Sequence, residues 1–364
     1  VKNIILILID GWGWKKAFDR SLPFVSRIAR EPSTQIHQID SGFPTTTAAM
    51  LPSLYTGQPP AAHGYVEWRH YEQGVGMINI LPWRLESDHG QRETLARRGI
   101  DPETVLRKGT FFKELKAKGV TGHLVQPDEL ENSTFNRFIV PPEDATTSYY
   151  SNLRRGLDDV TSALALPGER KLVILYAMKY DHICHLLGPE SAGAKEALAE
   201  SLNTLDDWYL TVAGQHPGTL LTVTADHGQI HVPLTQWFSL PERAPLLGKY
   251  LRRDAAGQFI PMAGSARDRF AYLQPGTETE AQQAVSRQLE RLADVQLVRD
   301  MVTRGYYNTA PPSEAFLRRM GDLCILPHTG CITGWDGSVG KDLGHHGGLS
   351  EDEVQIPWIM TTLG

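Results

Sequence analysis

Three aspartates in this 364-residue chain stand just beyond apolar runs, and two of them have a histidine at hand. Asp10 closes the run IILILI, Asp181 follows KLVILY, and Asp226 follows TLLTVT. His185 lies four residues past Asp181. On a helical turn that spacing faces a carboxylate and an imidazole the same way, so the two can share one cation. His227 is bonded directly to Asp226. Such a pair can ligate together if the backbone turns sharply, and Gly228 permits the turn. His346, directly before Gly347 and Gly348, can complete a metal set, with its neighbour His345 as the alternative. His182 and His231 lie close by in sequence and are read as bystanders. Each feature also has a plainer reading. Asp-Gly is a strong turn pair, and Asp181 with His185 could be a salt bridge or a cap.

The fourth chemical feature is FPTTTAAMLPSLYTG, residues 43–57, and Thr47 within it is read as the nucleophile of a two-metal hydrolase. A free threonine hydroxyl is a poor nucleophile at neutral pH. Metal binding to its oxygen lowers the pKa, and a helix N-terminus favours the anion further. Pro44 and the threonine run have the look of a helix entry. Pro52 is tolerated best in a first turn, which sets the helix start close to Thr47. The plainer reading is that Thr47 is an ordinary N-cap.

These side chains need a scaffold that gathers them. Apolar stretches at 4–9, 120–125, 171–176, 219–224 and 354–360 read as buried strands. Helical stretches at 23–30, 110–118, 145–166 and 191–216 alternate with them. The expected fold is therefore α/β, a mostly parallel central sheet with helices on both faces. Such sheets place their sites at the carboxyl ends of the strands, where all three aspartates fall. Residues 236–335 change character, with prolines, strand-like pieces at 269–273 and 322–326, and a helix from 278 to about 304 opened by a TETE capping box. They read as an inserted, smaller α+β cap domain, with 1–235 and 336–364 forming the metal-binding core. YVEWRHYE, residues 65–72, could line a substrate pocket or form a surface hairpin.

Hydrophobic and charged contents of 41% and 21% are those of a globular protein. The net charge of −6 gives no sign of a nucleic-acid-binding surface. No apolar run reaches membrane-spanning length. The three cysteines form no CxxC pair, which points to a reducing, cytoplasmic setting. The first residue is Val1, which leaves a removed leader open. Nothing in the sequence sets the oligomeric state.

Taken in order, IDGWG, FPTTTAAMLPSLYTG, His63-Gly64, DHICH, TADHG and HHGGLS resemble the alkaline phosphatase superfamily, and most closely its nucleotide pyrophosphatase/phosphodiesterase branch. The resemblance implies two zinc ions bridged by the phosphate. Asp181, His185 and His346 would hold one. Asp10, Asp226 and His227 would hold the other, with the Thr47 hydroxyl bound to it. A phosphothreonine-like intermediate would form and then be hydrolysed. Mixed carboxylate and imidazole ligands suit zinc, with manganese or iron as alternatives. The expected substrate is a small-molecule phosphate ester or nucleotide. Two departures bear on substrate class. Ala49 and Met50 stand where the family often has Pro-Asn, and Trp68 stands where many diesterases carry an asparagine donor to the phosphate. Trp68 and Arg69 are the candidate substrate contacts. A phosphomonoesterase or phosphonate hydrolase on the same scaffold is the second reading. It would need an additional cation near the phosphate, for which Arg69 is the nearby candidate. A catalytically inactive binding protein is the third.

Overall fold

The computed structural model describes every residue except 18–20, 107, 108, 110, 309 and 336–339. The expected start of one helix at residue 110 and the expected return to the core at 336 lie outside the described residues.

Strand β1 (Asn3–Ile9) shows why the chain folds around a two-faced sheet. Ile5, Ile7 and Ile9 enter one apolar cluster while Leu6 and Leu8 enter another. A strand alternates its side chains between faces, so a continuous apolar run must be covered on both. Six further strands complete the sheet: β2 (Gln35–Asp40), β3 (Val120–Pro127), β4 (Ala145–Tyr150), β5 (Arg170–Ala177), β6 (Leu220–Thr224) and β7 (Gln355–Thr362). Their order is β2-β7-β6-β1-β5-β3-β4, and only β7 runs against its neighbours. Leu8 pairs with Tyr176 of β5 and Thr224 of β6. The carboxyl ends of these three central strands are therefore level, and Asp10, Asp181 and Asp226 emerge along one edge.

Four helices matter for the site: α1 (Thr47–Thr56), α2 (Leu153–Ala165), α3 (Lys179–Leu187) and α4 (Ala192–Val212). Helices α2 and α4 pack on the isoleucine face of β1, and α1 packs on the leucine face. The helix expected over 145–166 is half strand. ATTSYY, rich in β-branched and aromatic residues, forms the edge strand β4, and the helix starts only after Asn152, whose side chain accepts from Arg155 N at 3.1 Å.

The segment after residue 236 opens with Trp237–Ser239, which pairs in parallel with Ile332–Gly334 near its end. Between them lies a separate four-stranded antiparallel sheet built from Ala263–Gly264, Arg269–Ala271, Ala293–Leu297 and Leu323–Pro327. It has its own apolar cluster, including Leu247, Val285, Leu289 and Ile325. The long helix expected over 278–304 is two helices, Glu278–Leu289 and Val298–Thr303, with Ala293–Leu297 as a strand between them. The expected capping box is absent too. Thr277 donates to Gln274 O at 2.7 Å, and the Glu278 carboxylate takes Gly276 N at 3.0 Å instead. A further cluster of Phe43, Ala61 and Val66 with Phe270, Tyr272 and Tyr307 joins this segment to the first part of the chain. Residues 65–72 include a hairpin arm, Arg69–Glu72, paired with Gly76–Asn79. Among the described residues no helix is long and apolar enough to cross a membrane.

Candidate active site

The three threonines before and at the start of α1 face three different partners. Thr45 Oγ1 donates to Gly348 O at 2.8 Å and accepts from Gly347 N at 3.1 Å, tying the helix entry to the loop that carries His346. Thr46 is the N-cap by backbone conformation, with φ −139° and ψ 141°, yet makes no side-chain cap bond. Its side chain neighbours the buried carboxylate of Glu67 and, against the rise that burial causes, helps to lower that group's pKa. Thr47 is the first helical residue. Its Oγ1 lies 3.1 Å from His227 Nε2 and 3.5 Å from Asp10 Oδ1. Pro52 is the sixth residue of this helix, beyond the first turn that sequence reasoning assigned to it.

The three site histidines share one orientation. Nδ1 of His185 faces Gly344 O at 2.9 Å, that of His346 faces Thr45 O at 2.8 Å, and that of His227 faces Gly228 O at 3.1 Å. A carbonyl only accepts, so each Nδ1 carries a proton, and in the neutral ring each Nε2 presents a lone pair inward. His185 Nε2 and His346 Nε2 then stand 3.1 Å apart. Two lone pairs at that distance repel unless a cation or a proton lies between them. Asp181 Oδ2 is 3.3 Å from His185 Nε2. On the other side, His227 Nε2 is 3.5 Å from Asp10 Oδ1 and 3.4 Å from Asp226 Oδ2.

The carboxylates are prepared in the same way. Asp226 Oδ1 accepts from Gly11 N at 3.2 Å and His227 N at 3.0 Å, while its Oδ2 is buried with no hydrogen-bond partner among the described residues. Tyr176 donates its hydroxyl to Asp10 Oδ2, and Gln229 donates its amide to Asp181 Oδ1, which leaves one oxygen of each carboxylate for the centre. Ligand atoms of Asp10, Asp226 and His227 lie within 4.8 Å of one another, as do those of Asp181, His227 and His346. A buried carboxylate oxygen without a partner is costly, and this donor set fits a divalent cation well. The electrostatics of the protein alone agree. Burial, with Asp226 and Asp181 as neighbours, pushes the Asp10 carboxyl well above its usual range. Burial also pushes Asp181 up, but His185 overrides it and holds that carboxyl far below the usual range. His185 resists burial in turn and rises to about 9 through Asp181. Burial and His227 drive His346 well below the ordinary imidazole value.

The structure thus gathers Asp10, Thr47, Asp181, His185, Asp226, His227 and His346 at one place. His345 also lines the site cavity but lies outside both ligand groups, with Nε2 at 3.0 Å from Asp342 O. His231 packs beside Gly188. His182, read as a bystander, does line the site cavity, though outside both ligand groups. That cavity is about 700 Å³, and Trp68 and Arg69 also line it. Arg69 is ion-paired to Glu86. Several residues escaped the sequence reading. Tyr176 looked like one more letter in an apolar strand, and Gln229 carried no motif. Arg269 and Arg92 reach the cavity from distant segments. Glu67 is fully buried, and burial raises its carboxyl to about 7.

Comparison with known proteins bears on this geometry. A family model described as type I phosphodiesterase / nucleotide pyrophosphatase matches residues 4–349. No curated protein sequence matches the chain. Among solved structures, murine ectonucleotide pyrophosphatase / phosphodiesterase 5 is similar with a TM-score of 0.72 at 15% identity, covering 99% of this chain and 88% of that one. An inactive threonine-to-alanine variant of the murine protein in complex with AMP gives 0.71 at 14% identity, with 99% and 88% covered. Phosphonoacetate hydrolase from Sinorhizobium meliloti 1021, in complex with phosphonoformate, gives 0.67 at 17%, with 98% and 89% covered. At these identities the likeness is one of fold.

Proposed function

Because the chain belongs to the type I phosphodiesterase / nucleotide pyrophosphatase family, we propose that it hydrolyses phosphodiester or nucleotide pyrophosphate bonds with Thr47 as nucleophile and two zinc ions as its metals. One observation carries the reading. Thr47 Oγ1, at a helix N-terminus, lies 3.1 Å from His227 Nε2, which faces a buried carboxylate oxygen with no other partner among the described residues. Asp181, His185 and His346 would hold one ion, and Asp10, Asp226 and His227 the other. Manganese or iron would fit the same donors. When bound, the ions supply Lewis acidity and lower the pKa of the attacking hydroxyl.

The chain's own residues do the rest. Thr47 Oγ attacks phosphorus as the bond to the leaving oxygen breaks on the opposite side. Water then cleaves the Thr47 phosphoester and frees the hydroxyl. The free N–H groups of the first turn of α1 favour negative charge beside Thr47. Tyr176 and Gln229 hold Asp10 and Asp181 in single orientations, so neither ligand must reorganise. The substrate is a small phosphate ester or nucleotide, in keeping with the AMP seen in a structural neighbour's variant. Residues 236–335 act as a cap, since Ser265, Arg269 and Thr333 contribute to the cavity wall.

A phosphomonoesterase or phosphonate hydrolase is the second reading. It is favoured by Arg69, Arg92 and Arg269 all lining the cavity, because a dianionic group calls for further positive charge. Turnover of bis-p-nitrophenyl phosphate against p-nitrophenyl phosphate, with zinc-loaded and chelated protein, tests both. Diester preference supports the first reading and monoester preference the second. Equal rates with and without metal would overturn the metal-dependent chemistry.

A further inference from the structure

Helix α1 has a weak point just past Thr47. Pro52 lies inside it and has no N–H for the carbonyl of Ala48, four residues earlier, and a proline ring crowds that carbonyl. The turn that carries Thr47 is therefore joined to the rest of α1 by one ladder bond fewer than an ordinary helix would have.

A path of hydrogen bonds crosses the same place from the side, and it begins at His63, which the chemistry above leaves unused. His63 is buried at 2% exposure. Its Nδ1 accepts from Tyr65 N at 3.0 Å. A backbone N–H only donates, so in the neutral ring the proton sits on Nε2. Burial pushes this imidazole down to about 3, which keeps the ring neutral. Nε2 then donates to Ser53 Oγ at 2.9 Å, and Ser53 Oγ donates to Ala49 O at 2.9 Å. The path enters α1 at Ser53, just after Pro52, and ends at Ala49, two residues from Thr47.

The other end of the path is backed by the inserted segment. Gly64 has φ +77°, and a Cβ there would lie 3.0 Å from Ala315 Cβ and 3.3 Å from Phe316 N, in the helix Glu314–Arg319. Gly64 O accepts from Nη1 of the buried Arg319 at 2.8 Å, and Ala61 O accepts from Ser313 N at 2.8 Å. The piece of chain that holds α1 is thus itself held.

We propose that His63 is a positioning residue for Thr47, splinting the first turn of α1 across Pro52 through Ser53, with the inserted segment as its backing. Its effect on rate rests on the hydrolase reading above; the splint itself does not. A displacement of about 1 Å in a reacting group can cost roughly 100-fold in rate, so a flexing first turn would be felt at the attacking oxygen.

Three variants separate the splint from general packing. Ser53→Ala removes the relay and leaves His63 in place. His63→Asn keeps an acceptor for Tyr65 N but has no group at the Nε2 position. His63→Gln keeps a donor at that position and loses the acceptor. Each is measured by hydrogen exchange of the peptide spanning residues 44–52, read by mass spectrometry, and by kcat and KM of the zinc-loaded protein for whichever p-nitrophenyl ester the wild type turns over. Ser53→Ala and His63→Asn should exchange roughly 2- to 13-fold faster, the equivalent of one hydrogen bond. Their kcat should fall by roughly 10- to 100-fold with KM nearly unchanged. His63→Gln should restore both. Unchanged exchange in Ser53→Ala, or rescue by Asn in place of Gln, would overturn the splint. Faster exchange with a wild-type kcat would overturn its link to Thr47. No turnover of either ester by the wild type would overturn the hydrolase reading, and the exchange rates would still decide the splint.

Discussion

Glu353 offers the sharpest test of how the site loop is held. It is fully buried, and so is Arg267 at 2% exposure. Arg267 Nε and Nη2 donate to its two oxygens at 3.0 and 2.9 Å. Glu353 also takes Gly348 N at 2.9 Å and Ser350 Oγ at 2.7 Å, two and four residues beyond His346. Arg267 Nη1 is used as well, by Pro327 O, His328 O and Cys331 O. Glu353→Gln keeps the shape but removes the charge, leaving a buried guanidinium without its counterion. Breaking a buried pair this way costs about 3–5 kcal/mol. With an unfolding entropy near 2.1 cal/mol/K per residue, the melting temperature of a chain this long should fall by about 4–7 °C. Differential scanning calorimetry of wild type and variant measures it. The double change Arg267→Met with Glu353→Leu should not recover the loss, because it also strands Gly348 N and the carbonyls of Pro327, His328 and Cys331. A single variant melting within about 1 °C of wild type would refute the account of the pair as a buried clamp.

Three other outcomes follow from the site. Thr47→Ala should abolish ester turnover while melting like the wild type; wild-type rates in that variant would remove Thr47 from the chemistry. His346→Ala should lower both zinc content and activity far more than His345→Ala, since His345 Nε2 faces Asp342 O; elemental analysis and rates for the two variants compare them. The third concerns pH in the metal-free protein. His185 is raised from 6.5 to about 9, so its protonated form stabilises the fold fully below pH 6.5, and that stabilisation is lost as pH rises through 9. Melts of chelated protein should fall across that window, while zinc binding tightens as the competing proton leaves. A flat stability profile from pH 6.5 to 9 would contradict the Asp181–His185 coupling.

How much of this was legible in the sequence follows from what each residue needs to reveal itself. Asp10, Asp181, His185, Asp226 and His227 were legible because each sits beside a strand end or shares one helical turn with its partner, whereas His346 was marked only by the two glycines after it. An apolar run followed by Asp states its own place in a parallel sheet. The strand Ala145–Tyr150 was not legible, because Tyr149 and Leu153 happen to continue a helical stripe and hide the turn at Asn152. The break at Leu289 was hidden in the same way by helix-forming residues on both sides. Tyr176 and Gln229 were hidden for a different reason. Their roles come from sheet register and side-chain reach, as when Leu8 pairs with Tyr176 and brings its hydroxyl to Asp10. No spacing rule along one chain encodes such a contact. Arg269 reaches the cavity only because its strand pairs with Leu323–Pro327.

These two kinds of legibility correspond to two ways the site is built. Asp10, Asp226 and His227 come from the ends of adjacent strands β1 and β6, whose pairing fixes them directly. His346 comes from a loop fastened at a distance, by Thr45 on one side and by Glu353 with Arg267 on the other. Loosening that fastening should not disturb the first group equally. In the wild type His185 and His346 face each other at 3.1 Å and Asp226 Oδ2 lies 3.4 Å from His227; Glu353→Gln should loosen the first contact and leave the second in place. If the site holds the two ions proposed above, they should therefore part company: one retained near wild-type affinity, the other lost first as chelator rises. A titration that removes both together from the variant, with the same midpoint, would mean the loop and the strand edge form a single unit and that the Thr45 contact alone is enough to hold His346.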